Sequence, residues 1–273
     1  MTGRRGVAQN APMREVIFSA DDFGLSPAVN EAVEQAHLHG RLGQASLMVA
    51  APAAEDAVAR AKRLPGLKVG LHLVLVDGDS LLGHARLPSI TGPDGRFSTN
   101  QAGLGVKYFF SPRARRELRA EIEAQFAAFA ATGLKLHHAD AHKHFLLHPT
   151  IAAMMIAVGK RHGLKRLRVP AEPPGVMKAL GERVGLGDYA LYGWTRLLRL
   201  QARGLELPDQ VFGIKWSGHM TRERIERLLP LLPEGRTEIY THPATRRDET
   251  LARLMPDYEH VAEFEALLGQ GLR

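Results

Sequence analysis

Along the chain, short apolar runs alternate with longer stretches whose hydrophobic residues recur every three or four positions, the rhythm of strands followed by amphipathic helices. Val16–Ala20, Ala45–Ala50, Leu67–Leu75, Leu134–Ala139, Arg166–Val169, Val211–Trp216 and Glu238–Thr241 read as seven strands. Helical patterns over Ala53–Leu64, Arg113–Thr132, Pro149–His162, Tyr189–Arg203 and Arg222–Leu232 carry the chain back between them, which gives parallel strands with right-handed crossovers. The first helix has its own boundary signals: Ser26 as cap, Pro27 in the first turn, Val29, Ala32, Val33 and Ala36 on one face, and Gly40 at the end. The expected fold is α/β, an irregular (β/α) barrel of about seven parallel strands. It forms a single domain over residues 14–273, after a disordered or irregular N-terminal extension at residues 1–13. An open doubly wound sheet shares the rhythm and fits it less well.

The run from Leu67 to Leu75 is the most informative strand. Leu67, Val69, Leu71, Leu73 and Leu75 share one face and should meet helices. The other face carries Lys68, Gly70, His72 and Val74, so His72 points into the barrel near the carboxyl end of its strand, where barrel chemistry sits. Two Gly- and Pro-rich stretches interrupt the rhythm. Asp77–Pro112, with its Pro93–Asp94–Gly95 turn signal, has the length of a lid or a tolerated surface loop, and Pro170–Asp188 is a weaker case.

Candidate chemistry gathers at strand ends. Asp21 and Asp22 follow the first strand directly, and adjacent carboxylates serve one site only where the backbone turns, which Gly24 permits. One acid would bind a cation and the other act as base; an Asx turn at a helix start is the plainer alternative. Five of the 13 histidines, at 137, 138, 142, 144 and 148, fall within twelve residues, a density that points to divalent-metal ligation. Opposite strand parity lets only one of His137 and His138 face inward, and His148 before Pro149 suits a helix start. The i, i+4 spacings in this run are incidental, because the flanking pattern is not helical. His242, at the end of the last strand and before Pro243, is a reasonable acid or base.

Composition narrows the chemistry. With no cysteine, disulfides and thiolate metal sites are excluded, and any metal must be held by His, Asp or Glu. No apolar run reaches the length of a bilayer span and no secretory leader is visible, so a cytoplasmic location is expected. A formal charge of +7 favours anionic partners. A nucleic-acid-binding role is the reading from a different class, but no zinc-finger spacing, aromatic RNA motif or basic arm supports it. Arg113, Arg115, Arg116 and Arg119 open a helix beside Tyr108–Phe109–Phe110, either as solvated arginines or as peripheral contact with an anionic membrane face. A homo-oligomer is compatible with everything above.

Four segments then stand out in order: Ala20–Ser26 (ADDFGLS), Val69–Leu73 (VGLHL), Asp140–His144 (DAHKH) and Glu238–Pro243 (EIYTHP). They resemble the motifs of the YdjC-like (ChbG-type) carbohydrate deacetylases, from about Val16 to the C-terminal region. The phrases beginning at Ala141 (AHKHF), Arg168 (RVPAEPP), Asp209 (DQVFG) and His242 (HPATRR) are similar to the hopanoid-biosynthesis-associated branch, HpnK. The resemblance implies an irregular (β/α) barrel that removes acetate from an amino sugar with one divalent cation. By position, Asp22, His72 and His142 would be the metal ligands, Asp21 the general base and His242 the general acid. His144 would lie close to substrate, and Arg168 would steady a carboxylate or bind substrate. Leu146 stands where many members have histidine. Zinc suits the histidine count best, with magnesium or another transition metal as alternatives. The implied substrate is an N-acetylglucosaminyl group on a hopanoid lipid, bacteriohopanetetrol. Soluble chitooligosaccharides, or the substrate of another metal-dependent barrel hydrolase such as a phosphoesterase, are the alternatives.

Overall fold

A computed structural model describes residues 14–268, so the expected extension over residues 1–13 lies outside the described residues. The strands are β1 (Arg14–Phe23), β2 (Leu42–Leu47), β3 (Lys68–Leu73), β4 (Ala139–Ala141), β5 (Gln210–Phe212) and β6 (Gly235–Thr241). The helices are α1 (Pro27–His39), α2 (Ala54–Arg63), α3 (Gly83–Arg86), α4 (Gln101–Phe110), α5 (Pro112–Ala131), α6 (Pro149–Arg161), α7 (Pro174–Ala179), α8 (Leu186–Gln201), α9 (Arg222–Leu228), α10 (Glu249–Leu254) and α11 (His260–Leu268). All strand pairs are parallel, in the order β4-β3-β2-β1-β6-β5. Among the described residues, no helix is long and apolar enough to cross a membrane.

Among the described residues, six strands replace the expected seven. The run Arg166–Val169 makes only single bridges, Leu167 to Ala139 on one side and Arg166 to Glu206 on the other, and Pro170 then has no N–H to extend the ladder. This segment still spans the gap between the sheet edges. Arg168 N donates to the Ala139 carbonyl at 3.0 Å, and Val211 N donates to the Ala171 carbonyl at 3.1 Å, so β4 and β5 approach each other across a curled half-barrel. The run from Leu134 enters the sheet late, as the short strand β4, and the strand expected at Ala45–Ala50 lies three residues earlier. Asp77–Pro112, expected as a loop, contains α3 and α4.

Local chemistry explains the helix boundaries. Ser26 accepts from Val29 N at the start of α1, Ser111 does the same from Ala114 N for α5, and Pro27, Pro112 and Pro149 occupy first turns where a missing N–H costs nothing. The outward strand faces and the inward helix faces form the core, with Leu47, Leu71, Leu73, Ile122, Phe126, Ile151 and Met155 fully buried. The interior of the curl is polar. Ser19, Gln44, Ser46, His72, His138, Asp140, Arg168 and Glu238 are all buried there and hydrogen-bonded to one another. Gly70 is required at this level, because a Cβ at that position would stand 2.5 Å from the His138 ring.

Candidate metal centre and active site

The turn that brings Asp21 and Asp22 to one site lies at Asp22 itself. Its φ of +59° is left-handed, and the β1 register against β2 shifts between Ala20 and Phe23. That irregularity overrides the strand alternation which would send the two carboxylates to opposite faces. Parallel pairing sets the next level, with His72 opposite Asp140. His142 follows at the end of β4, and the chain beyond it folds into 3-10 turns broken at Lys143 and His144, both with φ of +52°. The absence of a continuous helix there agrees with the reading of the i, i+4 spacings as incidental.

Ligand atoms of Asp22, His72 and His142 lie within 4.8 Å of one another. Asp22 Oδ1 is 3.1 Å from His142 Nδ1 and 3.4 Å from His72 Nε2, without the alignment of a hydrogen bond, and both Asp22 oxygens are buried with no hydrogen-bond partner. A buried carboxylate without an aligned hydrogen bond is costly unless a positive charge stands beside it, as the His72 imidazolium does in the metal-free protein and a bound cation would in its place. The donor set of two imidazoles and one carboxylate fits a divalent cation and leaves further coordination positions open. This cluster of buried Asp and His can therefore hold a metal ion.

A second carboxylate aims the ring of His72. Asp140 Oδ1 takes His72 Nδ1 at 2.7 Å, which turns Nε2 towards Asp22 and His142. Asp140 Oδ2 accepts from Ser46 Oγ at 2.7 Å and pairs with Arg168 Nη1 at 2.8 Å. Arg168 also reaches Asp21 at 2.8 Å and Glu238 at 2.7 Å, so one guanidinium serves three carboxylates. Burial opposes charge on His72, but Asp140, Asp21 and Asp22 outweigh it and hold the imidazole up to about 10. Burial likewise works to raise Asp22, and the imidazoles of His142 and His72 keep it well below the usual carboxylate range. Asp21 goes the other way: burial raises it to about 7 even with Arg168 alongside. The pair of acids thus divides into one held ionised and one poised near neutrality.

These groups open into a cavity of about 250 Å³ lined by Asp21, Asp22, His72, His142, His144 and His242, together with Ser217 and Tyr258. His242 is gripped through its backbone by α11: its N–H donates to the Glu263 carboxylate, and His260 Nδ1 reaches its carbonyl at 2.7 Å. The ring Nδ1 of His242 is buried without a hydrogen-bond partner, and burial pushes the imidazole down to about 3. His144, in the cavity wall, has its Nε2 2.7 Å from the hydroxyl of buried Tyr240.

The structure thus brings Asp21, Asp22, His72, His142, His144 and His242 together. Arg168 stands behind Asp21, its guanidinium taken up by carboxylates. Asp140, Glu238, Ser46, Tyr240 and Glu263 were not singled out from the sequence as site residues. The signal was present in the strands: Ser19 and Asp21, Gln44 and Ser46, His138, Asp140 and His142, and Glu238, Tyr240 and His242 are polar at every second position.

A family model described as YdjC-like protein matches residues 15–273. The carbohydrate deacetylase of Brevibacillus brevis is 37% identical over 181 residues, covering 66% of this chain and 68% of the relative. That of Vibrio cholerae serotype O1 is 39% identical over 148 residues, 54% of this chain and 56% of the relative. That of Thermoanaerobacter pseudethanolicus is 25% identical over 237 residues, 87% of this chain and 84% of the relative. A solved structure from Enterococcus faecalis V583, provisionally named a cellobiose-phosphate cleavage protein, superposes with a TM-score of 0.74 at 23% identity, covering 94% of this chain and 91% of that one, which supports the fold.

Proposed function

The chain belongs to the YdjC-like family, and from that premise we propose that it is a metal-dependent N-deacetylase of acetylated amino sugars. The observation that carries the reading is the convergence of Asp22, His72 and His142 in one cavity with Asp21 and His242, with both Asp22 oxygens lacking hydrogen-bond partners.

Hydrolysis of an acetamide needs an activated water, a polarised carbonyl and a proton for the departing amine. Asp22, His72 and His142 would hold a divalent ion, which would supply a lowered water pKa and Lewis acidity towards the carbonyl oxygen. Zinc suits two imidazoles and one carboxylate best, with magnesium or another transition metal as alternatives. Asp21, poised near neutrality, takes the proton from the attacking water, and Arg168 fixes its carboxylate in place. His242 hands a proton to the sugar nitrogen. Burial keeps its ring neutral in the free protein, so the proton it passes on is one it draws from water in the cavity as negative charge builds beside it, and Asp21 returns its own proton to solvent when the products leave. His144 lies where it can touch the sugar.

The substrate we assign is an N-acetylglucosaminyl group on a hopanoid lipid, bacteriohopanetetrol, met by a cytoplasmic enzyme at the inner face of the membrane. Two things support an apolar acceptor. The phrases at Ala141, Arg168, Asp209 and His242 resemble the hopanoid-associated branch. Beside the metal cavity, and sharing His142, Lys143, Leu254 and Met255 with it, a second cavity is lined by Leu25, Met48, Ala51, Pro52 and Val74 as well as by Asp77, Asp79, Arg96 and Arg253. Soluble chitooligosaccharides remain the second reading, favoured by the carbohydrate deacetylase names of the relatives.

Mass spectrometry of products from N-acetylglucosaminyl hopanoid and from chitobiose tests both. Loss of one acetyl group from the lipid substrate is expected. Turnover of chitobiose alone would move the assignment to soluble sugars, and turnover of neither would end it. His72→Ala should lose metal and activity together while keeping the fold; full metal stoichiometry in that variant would remove His72 from the ligand set.

A further inference from the structure

We propose that a ridge built from α4 and α8 docks the protein on an anionic lipid surface. This deepens the reading of a lipid-linked substrate by naming the surface that would bring the site to it.

Helix α8 is amphipathic in the wrong sense for a helix that only packs inward. Leu186, Tyr189, Leu197 and Leu200 form a stripe along its outer side at spacings of three, eight and three residues, and Leu186 is 90% exposed. On α4, Val106, Phe109 and Phe110 are exposed as well, Phe110 at 74%. The two helices flank the same short segment. The Phe109 ring lies 6.1 Å from that of His148, and Trp194 Nε1 donates to the Leu147 carbonyl at 2.8 Å. That segment ends the 3-10 turns that carry His142 and His144, and at the other end of α4 Gln101 Nε2 donates to the Lys143 carbonyl at 3.1 Å. The apolar ridge therefore adjoins the wall of the metal cavity. An exposed apolar surface of this kind marks an interaction site.

Charge selects the occupant. Residues 106–119 and 183–203, which hold the ridge and its borders, contain nine cations (Lys107, Arg113, Arg115, Arg116, Arg119, Arg183, Arg196, Arg199 and Arg203) and two acids. Glu117 pairs with Arg113 at 3.1 Å, Asp188 pairs with Lys215 at 2.9 Å, and Arg199 donates to the Pro208 and Asp209 carbonyls, which leaves Arg115, Arg116, Arg119, Arg183, Arg196 and Arg203 to meet an anion. In a two-fold contact between copies through α8, the same arginines would meet their own mates. Anionic headgroups complement them, while the aromatic and leucine side chains enter the headgroup–acyl boundary, the binding mode of interfacial helices.

The test is co-sedimentation of the full chain with phosphatidylcholine vesicles, with and without phosphatidylglycerol, at low and high salt. Binding is expected only to the anionic vesicles and should weaken with salt. Phe110→Asp and Leu197→Asp should each reduce it by roughly tenfold or more, with melting temperatures unchanged. Leu38→Asp, at an exposed leucine on α1, should leave it intact. No binding, equal binding to neutral vesicles, or indifference to Phe110→Asp and Leu197→Asp would overturn the proposal. So would light scattering that shows a dimer which those two substitutions dissociate, since the ridge would then be a contact between copies. None of these measurements reads deacetylation, so the docking surface and the proposed activity fail separately.

Discussion

Replacing Arg168 with methionine isolates the electrostatics of the barrel interior. The guanidinium is the shared partner of Asp21, Asp140 and Glu238 at 2.7–2.8 Å, and all four residues are buried. Methionine keeps much of the volume and removes the charge, so three carboxylates are left facing one another in a low-dielectric interior. Breaking a buried pair in this way costs about 3–5 kcal/mol, a large share of the ~5–15 kcal/mol that holds a domain together. At about 2–4 °C per kcal/mol for a large domain, the melting temperature should fall by roughly 10 °C. The pH dependence separates this cause from lost packing. Without Arg168 the carboxyls of the folded state bind protons more tightly than those of the unfolded chain. The folded state then holds more protons, and stability lost on the alkaline side returns as the pH falls. Urea denaturation of wild type and Arg168→Met, followed by circular dichroism from about pH 8 to about pH 5, should show the gap narrowing towards acid. A midpoint like wild type at neutral pH, or a gap that does not change with pH, would refute the argument.

Other outcomes follow from the same contacts. Asp140→Asn removes the carboxylate that aims His72, and should weaken metal affinity about 10- to 100-fold in a chelator competition without unfolding the protein. Because the metal-free protein holds His72 up to about 10, metal binding at neutral pH must displace its proton. Calorimetry in buffers of different ionisation enthalpy should therefore show proton release, with affinity rising as pH rises; the absence of release would argue against His72 Nε2 as a ligand. His242→Gln should lower kcat by about 10²–10⁴ with metal content unchanged, and a loss of metal instead would make His242 a ligand rather than an acid. With Asp21 as base, kcat/KM should rise with pH through a limb at or below about 7, since a cation beside the carboxyl lowers it, and Asp21→Asn should abolish that limb.

How much of this was legible in the sequence depends on whether each feature was local. The strand–helix rhythm, the cap at Ser26, the inward direction of His72 and the start of α6 at Pro149 are set by a few adjacent residues, and all four appear in the structure. The seventh strand failed for a non-local reason. Arg166–Val169 has strand-like residues, but whether it forms a ladder depends on what its neighbours offer, and they offer one bridge on each side before Pro170 ends the donors. The same distinction runs through the site. The acid pair Asp21–Asp22 and the histidine cluster announce themselves by residue type at strand ends, and the family motifs pick Asp22 and His142 out of them, whereas the joining of Arg168 with Asp140 and Glu238 appears only when β4, β6 and the 166–168 segment curl round a common axis. In a half-barrel whose outward faces supply the hydrophobic core, a polar residue at every second strand position is the trace of an interior assembled to hold charge. A strand pattern read only for its apolar face passes over the residues that orient the ligands.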